Sequence, residues 1–149
     1  MSLWRIYYHL VWATKQRFPL ITPEIEDELY PYIIGKSDAL GCIVHAIGGI
    51  EDHIHIVASI PPNLSVAEFV KNIKGSSTYH LNHAGSGSLT RFGWQDGYGV
   101  FSLGGKQMDI AVNYVKNQKI HHLKNDLKPS LERISDRDDR PSMWYENKR

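Results

Sequence analysis

The sequence predicts an α+β domain with the element order β-α-β-β-α-β, a ferredoxin-like plan in which helices cover one face of an antiparallel sheet. Three observations indicate this class: alternating apolar and polar runs, helix-start signals before two longer stretches, and glycine or proline where segments end. One further helix follows the last strand. The length of 149 residues suits one such domain, so we take residues 1–125 as a single domain and residues 126–149 as a tail of unassigned role.

The first strand is predicted over about residues 3–13, where apolar and polar positions alternate. Thr22 then offers a capping hydroxyl and Pro23 a suitable first helical residue, which predicts a helix to about Leu40. We expect Gly41 to end this helix, because glycine readily adopts the backbone conformation of a helix terminus.

The second and third strands are predicted over residues 42–47 and 53–60. Gly48 and Gly49 lie between them, and a glycine pair between two strand patterns is typical of a tight antiparallel hairpin. The sequence therefore predicts a hairpin that turns at these two glycines.

The remaining elements follow in the same way. A capping box at Ser65 predicts a second long helix to about Asn82. Residues 83–96 contain glycines and serines typical of a loop. Residues 98–103 are predicted to form the fourth strand and residues 107–123 a third helix.

Composition and charge exclude several classes of protein. No apolar run approaches the roughly 18 residues that a membrane span needs. A single cysteine, Cys42, excludes an internal disulfide and fits the reducing cytoplasm, where we expect the protein to act. The net charge of +1 gives no overall nucleic-acid signature, but residues 65–124 hold seven basic and three acidic side chains. That excess indicates either a moderately positive binding surface or ordinary solvated helix faces.

A histidine pair lies in the predicted third strand. Strand side chains alternate between the two faces, so His53 and His55 share one face while Ile54 and Ile56 share the other. We expect the isoleucines to face the helices and the histidines to face the open side of the sheet. Two imidazoles at this spacing can bind one divalent metal, although histidine is also an ordinary polar residue of strands.

The predicted third helix carries a tyrosine with polar neighbours on the same stripe. Tyr114 and Gln118 are four residues apart and project together, and His121 continues the stripe. A phenol, with a pKa of about 10, needs nearby positive charge to attack a phosphodiester, and a metal on the histidine pair would supply it. Gln118 would be a third metal ligand, and His121 a proton shuttle or an alternative ligand. Each residue also has a purely structural alternative. Tyr114 fits a core aromatic, Gln118 a solvated helix residue, and His121 a histidine that stabilises a helix C-terminus.

Several basic residues are candidates for contacts with DNA phosphates, and Trp94 and Tyr98 are candidates for stacking on bases. The basic residues are Lys15, Arg17, Lys71, Lys74 and Arg91. Each of them also fits a structural or solvated position.

Five ordered blocks together resemble the single-tyrosine HUH transposases of small bacterial insertion sequences, with their relatives that act on repetitive extragenic palindromes. The resemblance covers most of residues 5–122. The blocks are YHLVWATKQR at 8–17, DHIH at 52–55, Ser65 with FVK at 69–71 and KGSS at 74–77, WQDGYGVFS at 94–102, and YVKNQ at 114–118.

The resemblance implies a metal-dependent DNA transposase. His53 and His55 match the pair that binds Mg²⁺ or Mn²⁺, and Gln118 matches the third ligand. Tyr114 matches the nucleophile that attacks single-stranded DNA, leaving a 5′-phosphotyrosine link and a free 3′-hydroxyl. Proteins of this kind recognise hairpins near the element's ends and work as homodimers, in which the tyrosine helix can complete the partner subunit's site. Ligand softness alone would favour zinc, cobalt or manganese, and magnesium becomes plausible because substrate phosphate adds hard oxygen ligands.

Two other functions stay open at the level of sequence. One is a non-catalytic protein derived from such a transposase, which binds single-stranded DNA hairpins through the basic surface. The other is a zinc hydrolase in which His53, His55 and His121 hold a metal-bound water.

Overall fold

The computed structural model describes residues 2–83 and 91–124, which form a four-stranded antiparallel sheet with helices on both faces. The strand order is β2-β3-β1-β4, so β1 and β3 are the central strands. The α+β class and the antiparallel sheet are confirmed. In chain order the elements are β1 (Tyr7–Ala13), α1 (Pro23–Ala39), β2 (Ile43–Ile50), β3 (His53–Ser59), α2 (Val66–His83), β4 (Gly99–Leu103), α3 (Met108–Lys116) and α4 (Gln118–Leu123).

Helices α1 and α2 begin at the predicted capping residues. The Thr22 hydroxyl accepts a hydrogen bond from the Ile25 N–H at 3.3 Å, and the Ser65 hydroxyl accepts one from the Glu68 N–H at 3.0 Å. Both helices cover one face of the sheet, where apolar side chains of the two helices and the sheet form the main core. Its largest buried members include Leu10, Trp12, Leu29, Ile33, Ile54, Ile56, Phe69 and Ile73.

Helix α3 lies on the opposite face, against β2 and β3. A smaller cluster forms there, in which Ala46 and Val57 of the sheet meet Ala111 and Val115 of the helix. Because side chains alternate along β3, the same face that carries Val57 also carries the two histidines. The face that was expected to be open is therefore covered at this point by the chain's own third helix.

The predicted hairpin turn at Gly48 and Gly49 is wrong. Both glycines lie inside β2, where Gly48 pairs with His55 and Gly49 with Ile54, and the turn falls at residues 51–52. Close packing explains the glycine at 48: a Cβ built there would lie 2.1 Å from the carbonyl oxygen of Val115 in α3. Gly48 therefore permits the close approach of α3. A glycine with this role looks the same in the sequence as a glycine of a turn.

Two element boundaries also differ from prediction. Strand β1 begins at Tyr7 rather than at residue 3, because Tyr7 pairs with the last residues of β3 and β4, Ser59 and Leu103. Among the described residues, no strand residue pairs with the chain before Tyr7.

The predicted third helix is divided at Asn117, whose backbone (φ −106°, ψ 24°) leaves the helical region. The Asn117 N–H and side-chain amide both donate to the Asn113 carbonyl, which ends α3. The Asn117 carbonyl then accepts from the N–H groups of Ile120 and His121, which begins α4. One asparagine therefore ends one helix and starts the next.

A strained turn follows β1. The 3-10 turn Lys15–Arg17 contains two successive non-glycine residues with positive φ, Gln16 at 53° and Arg17 at 54°. The Gln95 side-chain oxygen accepts the Gln16 N–H at 2.8 Å, and the Thr14 hydroxyl donates to the Phe18 carbonyl at 2.6 Å. These bonds hold the turn at the edge of the sheet where β1 ends and β3 begins.

Part of the predicted loop, residues 84–90, and the predicted tail, residues 126–149, lie outside the described residues. In the described part of the chain, no helix has both the length and the apolar character needed to cross a membrane.

Candidate active site

The histidine pair on β3 is buried beneath α3 and α4. His53 and His55 are 2% and 0% exposed, and their ring centroids lie 5.0 Å apart with the planes at 69°. Strand alternation brings them to one face, as predicted, while Ile54 and Ile56 enter the main core on the other face.

Each histidine of the pair is held through its Nδ1 atom. His53 Nδ1 donates to Asp52 Oδ1 at 2.7 Å, and His55 Nδ1 lies 2.8 Å from His9 Nε2 of the neighbouring strand. Such contacts fix the orientation of an imidazole ring. They use Nδ1 in both residues, so Nε2 is the atom through which each would coordinate a metal.

Asp52 connects the pair to the strained turn. Its carboxylate lies 3.7 Å from the Arg17 guanidinium, and its backbone carbonyl accepts from the N–H of Thr14. The hydrogen bond from His53 lowers the pKa of the Asp52 carboxyl, and the positive charges of Arg17 and His122 act in the same direction against the effect of burial. Asp52 is therefore ionised at neutral pH and can orient His53.

Tyr114 of α3 lies beside the histidine pair of its own chain. Its ring is 2% exposed and meets the His55 ring edge-on, with the centroids 6.0 Å apart. His121 of α4 stacks on the Tyr114 ring at 4.7 Å. A cleft of about 290 Å³ opens here, lined by Ile110, Asn113, Tyr114, Asn117 and His121.

Gln118 is also buried, and it contacts the pair through a residue that the sequence analysis did not select. The Gln118 side-chain oxygen lies 3.2 Å from His122 Nε2, and the His122 ring meets the His53 ring at 5.0 Å. The Gln118 amide donates to the Tyr114 carbonyl at 3.4 Å. His122 is four residues after Gln118, the spacing of helical neighbours, and this was the available signal.

The expected donors for a divalent metal are the imidazoles of His53 and His55 and the amide oxygen of Gln118. Within residues 2–83 and 91–124, no group of three or more His, Cys, Asp or Glu side chains is arranged to hold a metal ion. A zinc site formed by His53, His55 and His121 is therefore not present in this part of the chain, since His121 stacks on Tyr114 instead. A set of His53, His55 and Gln118 leaves coordination positions for substrate oxygens, and the Nδ1 contacts of both histidines suit such a site.

A lysine groove of about 780 Å³ lies between α2 and residues 93–98. Lys15, Lys71 and Lys74 line it, together with the rings of Trp94 and Tyr98. The strained turn contributes Lys15 to this groove and Arg17 to Asp52, so it connects the groove with the histidine pair.

The remaining DNA-binding candidates have different surroundings. Arg91 is exposed outside the lysine groove, and Arg17 pairs with Asp52. Lys74 donates to the carbonyls of Gln95 and Gly97, at 2.8 and 2.6 Å, which ties residues 93–98 to α2. The Trp94 indole donates to the Ser77 hydroxyl at 3.0 Å and packs against the main core.

A model of the IS200-like transposase family matches residues 2–118, which span the sheet, the histidine pair, Tyr114 and Gln118. The chain belongs to this family. Among the relatives of this IS200-like transposase, the ISDra2 transposase TnpA of Deinococcus radiodurans is 29% identical over 79 residues, 53% of this chain. The matched segment spans 56% of that relative's length.

Two further comparisons cover more of the chain. The transposase for insertion sequence element IS200 of Salmonella typhimurium is 28% identical over 120 residues, 77% of this chain and 78% of that protein. A solved structure of a REP-associated tyrosine transposase bound to a REP hairpin matches with a TM-score of 0.61 and 18% identity. It covers 82% of this chain and 74% of that one, and at this identity it supports the fold alone.

Proposed function

We propose that this IS200-like transposase cuts and rejoins single-stranded DNA at hairpin-marked element ends, with Tyr114 as the nucleophile. The observation that carries the proposal is the position of Tyr114, which lines one cleft together with His121 and meets the ring of His55 edge-on. All three lie on the face of the sheet that also holds His53. A phenol surrounded by imidazoles, beside a histidine pair suited to a metal, is equipped for phosphodiester chemistry.

The cleavage step forms one bond and breaks one. Tyr114 Oη transfers its proton to His121 and attacks the phosphorus, while the bond from phosphorus to the 3′ oxygen breaks. That oxygen takes up the proton and leaves as a 3′-hydroxyl, and the 5′ phosphate stays on the tyrosine. Attack by another 3′-hydroxyl reverses the step and joins two strands without an external energy source. His121 is proposed as the proton carrier because its ring lies closer to the Tyr114 ring than that of His55 does.

We propose Mg²⁺ or Mn²⁺ as the cofactor, held by His53 and His55 with the Gln118 amide oxygen. When bound, the metal supplies positive charge that neutralises the scissile phosphate. The chain's own part is to hold both imidazoles in one orientation, through Asp52 for His53 and through His9 for His55. Gln118 keeps the capacity for a second contact because an amide oxygen has two lone pairs.

The lysine groove is our proposed path for the DNA strand. Lys15 and Lys71 are exposed cations on its walls, and Tyr98 offers a ring for stacking. Arg91 is a further exposed cation outside the groove and a candidate for a phosphate contact. Arg17 and Lys74 would act differently, since their side chains contact protein groups. The hairpin bound to the REP-associated relative supports a DNA hairpin as the partner.

We further propose that the protein works as a homodimer in which the tyrosine helix completes the partner subunit's site. In the described residues α3 packs on the sheet of its own chain, so a site formed within one chain is the competing arrangement. The two arrangements make opposite predictions for a mixture of two inactive variants.

The test uses labelled single-stranded hairpin DNA from the region flanking the gene. We expect the protein with Mn²⁺ or Mg²⁺ to form a covalent adduct on a denaturing gel, which peptide mass analysis maps to Tyr114. Chelator and Tyr114→Phe should each abolish the adduct while hairpin binding persists. Tyr79→Phe is the matched control, because Tyr79 is 67% exposed on α2 and stacks on His83 away from the site.

Tight hairpin binding by the parent protein without an adduct would contradict the catalytic proposal. It would identify the protein as a non-catalytic hairpin-binding derivative of such a transposase. An adduct that survives Tyr114→Phe would assign the nucleophile to another residue.

A further inference from the structure

His9 is a fully buried histidine of β1 that packs behind the metal-binding pair. Its ring lies nearly parallel to that of His55, with the centroids 5.0 Å apart and the planes at 10°, and it stacks on Phe101 of β4 at 5.8 Å. Its Nε2 atom lies 2.8 Å from Nδ1 of His55. The proposed cleavage step does not use His9. A buried imidazole at hydrogen-bond distance from a proposed metal ligand can, however, fix which ring nitrogen of that ligand carries the proton.

This effect concerns the position of one proton. A neutral imidazole carries its proton on one nitrogen and offers a lone pair on the other. His55 can coordinate a metal through Nε2 only when its proton lies on Nδ1, and the Nδ1 proton then needs an acceptor. The atom at hydrogen-bond distance from it is His9 Nε2.

We propose that His9 is a positioning residue, which accepts the Nδ1 proton of His55 and thereby presents His55 Nε2 as the metal ligand. This inference rests on the proposed metal-dependent function. Asp52 does the corresponding work for His53, so each histidine of the pair has its own orienting partner. The partners differ in charge, because a carboxylate supports one ligand and a neutral imidazole the other.

The surroundings of His9 suit an acceptor that does not move. Its backbone pairs with Val57 of β3 and Phe101 of β4, so it sits between the two neighbouring strands. The ring contacts with His55 and Phe101 restrict rotation of the imidazole. A histidine that only filled space here would be replaceable by another flat ring without effect on His55.

Three variants separate positioning from packing. His9→Phe keeps a ring and removes the acceptor, whereas His9→Gln keeps an oxygen near the place of Nε2. His45→Phe is the matched control, because His45 on β2 bonds at 2.7 Å to the hydroxyl of Ser59, the last residue of β3. Thermal unfolding of each variant reports whether it folds.

The main readout is the histidine ring ¹⁵N spectrum of the metal-free protein at about pH 8, where an ordinary imidazole is neutral. We expect His55 as the Nδ1–H tautomer in the parent protein, in His9→Gln and in His45→Phe, but not in His9→Phe. Calorimetry with Mn²⁺ should show an affinity loss of about 10–100-fold for His9→Phe, and most of the affinity restored in His9→Gln.

A parent protein with the proton of His55 on Nε2, or a His9→Phe variant with unchanged tautomer and Mn²⁺ affinity, would overturn the proposal. If the parent protein binds no Mn²⁺, the proposed function fails, while the tautomer spectra still decide the role of His9. If His9→Phe does not fold, His9→Asn replaces it, because the shorter amide cannot reach Nδ1 of His55.

Discussion

Lys74 and Lys71 line the same groove, yet their side chains have different surroundings. The Lys74 ammonium donates to two backbone carbonyls of residues 93–98 and lies 5.9 Å above the ring of Trp12. Burial lowers the pKa of Lys74 and the charge of Asp96 opposes this effect, as expected for a lysine held inside the fold. Lys71 is exposed on the groove wall. The first lysine therefore holds the groove together, and the second is available to DNA.

Lys74→Met should lower the free energy of unfolding by about 2 kcal/mol, because two charge-assisted hydrogen bonds to the backbone are lost. Lys71→Met, the matched variant in the same groove, should change it by less than about 0.5 kcal/mol. Urea denaturation followed by tryptophan fluorescence measures both values. Equal stability losses in the two variants would contradict the distinction.

Hairpin affinity should show the complementary difference. Lys71→Met should reduce the salt dependence of binding by about one phosphate contact, measured as the slope of log affinity against log salt. An unchanged slope would remove Lys71 from the proposed DNA path.

At the scale of single residues, the sequence identified side chains whose partners are close along the chain. His53 and His55 follow from strand alternation, and Tyr114 and Gln118 from helical spacing. The contact of His9 with His55 could not be predicted from local spacing, because the two residues are 46 positions apart and meet only through the pairing of β1 with β3.

At the scale of elements, the position of α3 on the sheet decides whether Tyr114 reaches the histidine pair. The helix packs against β2 at Gly48, where its backbone comes too close for any Cβ. Repulsion from a backbone carbonyl is costly to relieve, because the whole helix must shift. The position of α3 on the sheet, and with it that of Tyr114, therefore depends on Gly48.

Gly48→Ala should displace α3 and reduce adduct formation at least about tenfold, since misplacement of a reacting group by about 1 Å can cost 10²-fold. Hairpin binding should persist, because the lysine groove lies on the other side of the sheet, along α2. The measurements are the covalent-adduct assay and hydrogen exchange of α3. Gly35→Ala is the control: a Cβ there meets nothing within 4 Å, and the change should stabilise α1 by about 0.5–1 kcal/mol. Unchanged adduct formation in Gly48→Ala would show that the site does not depend on this packing.

The sequence predicted the order of these elements well, because periodicity and capping residues are local signals. It misplaced the hairpin turn and joined α3 to α4, for reasons that are not local. Gly48 is explained by a helix that arrives 67 positions later along the chain, at Val115. The helical pattern continues through Asn117, and only the backbone bonds at that residue reveal the break.

At the scale of the whole molecule, the sheet separates the two candidate sites. The face covered by α1 and α2 carries the main core and, along α2, the lysine groove. The other face carries the histidine pair, with α3 and α4 above it. The strained turn Lys15–Arg17 lies at the edge that joins the two faces and touches both the groove and Asp52.

A mixing experiment tests the proposal that two subunits share one site. Under the proposed exchange of tyrosine helices, His53→Ala and Tyr114→Phe proteins are each inactive, and their mixture should regain adduct formation. The recovery is expected because one site of the mixed dimer combines an intact histidine pair with an intact tyrosine. Mass spectrometry of differently labelled subunits verifies the exchange, and no recovery after verified exchange would assign the site to a single chain.

The close approach at Gly48 also limits how this gene can vary. Every missense change of a glycine codon adds at least a Cβ. No substitution at position 48 is therefore compatible with the observed position of α3 on the sheet. Under the proposed function, an insertion-sequence copy that has lost this glycine is expected to form the adduct at least about tenfold less, even if His53, His55 and Tyr114 are all intact. Position 48 would then distinguish an active copy from a decayed one where the proposed reactive residues do not.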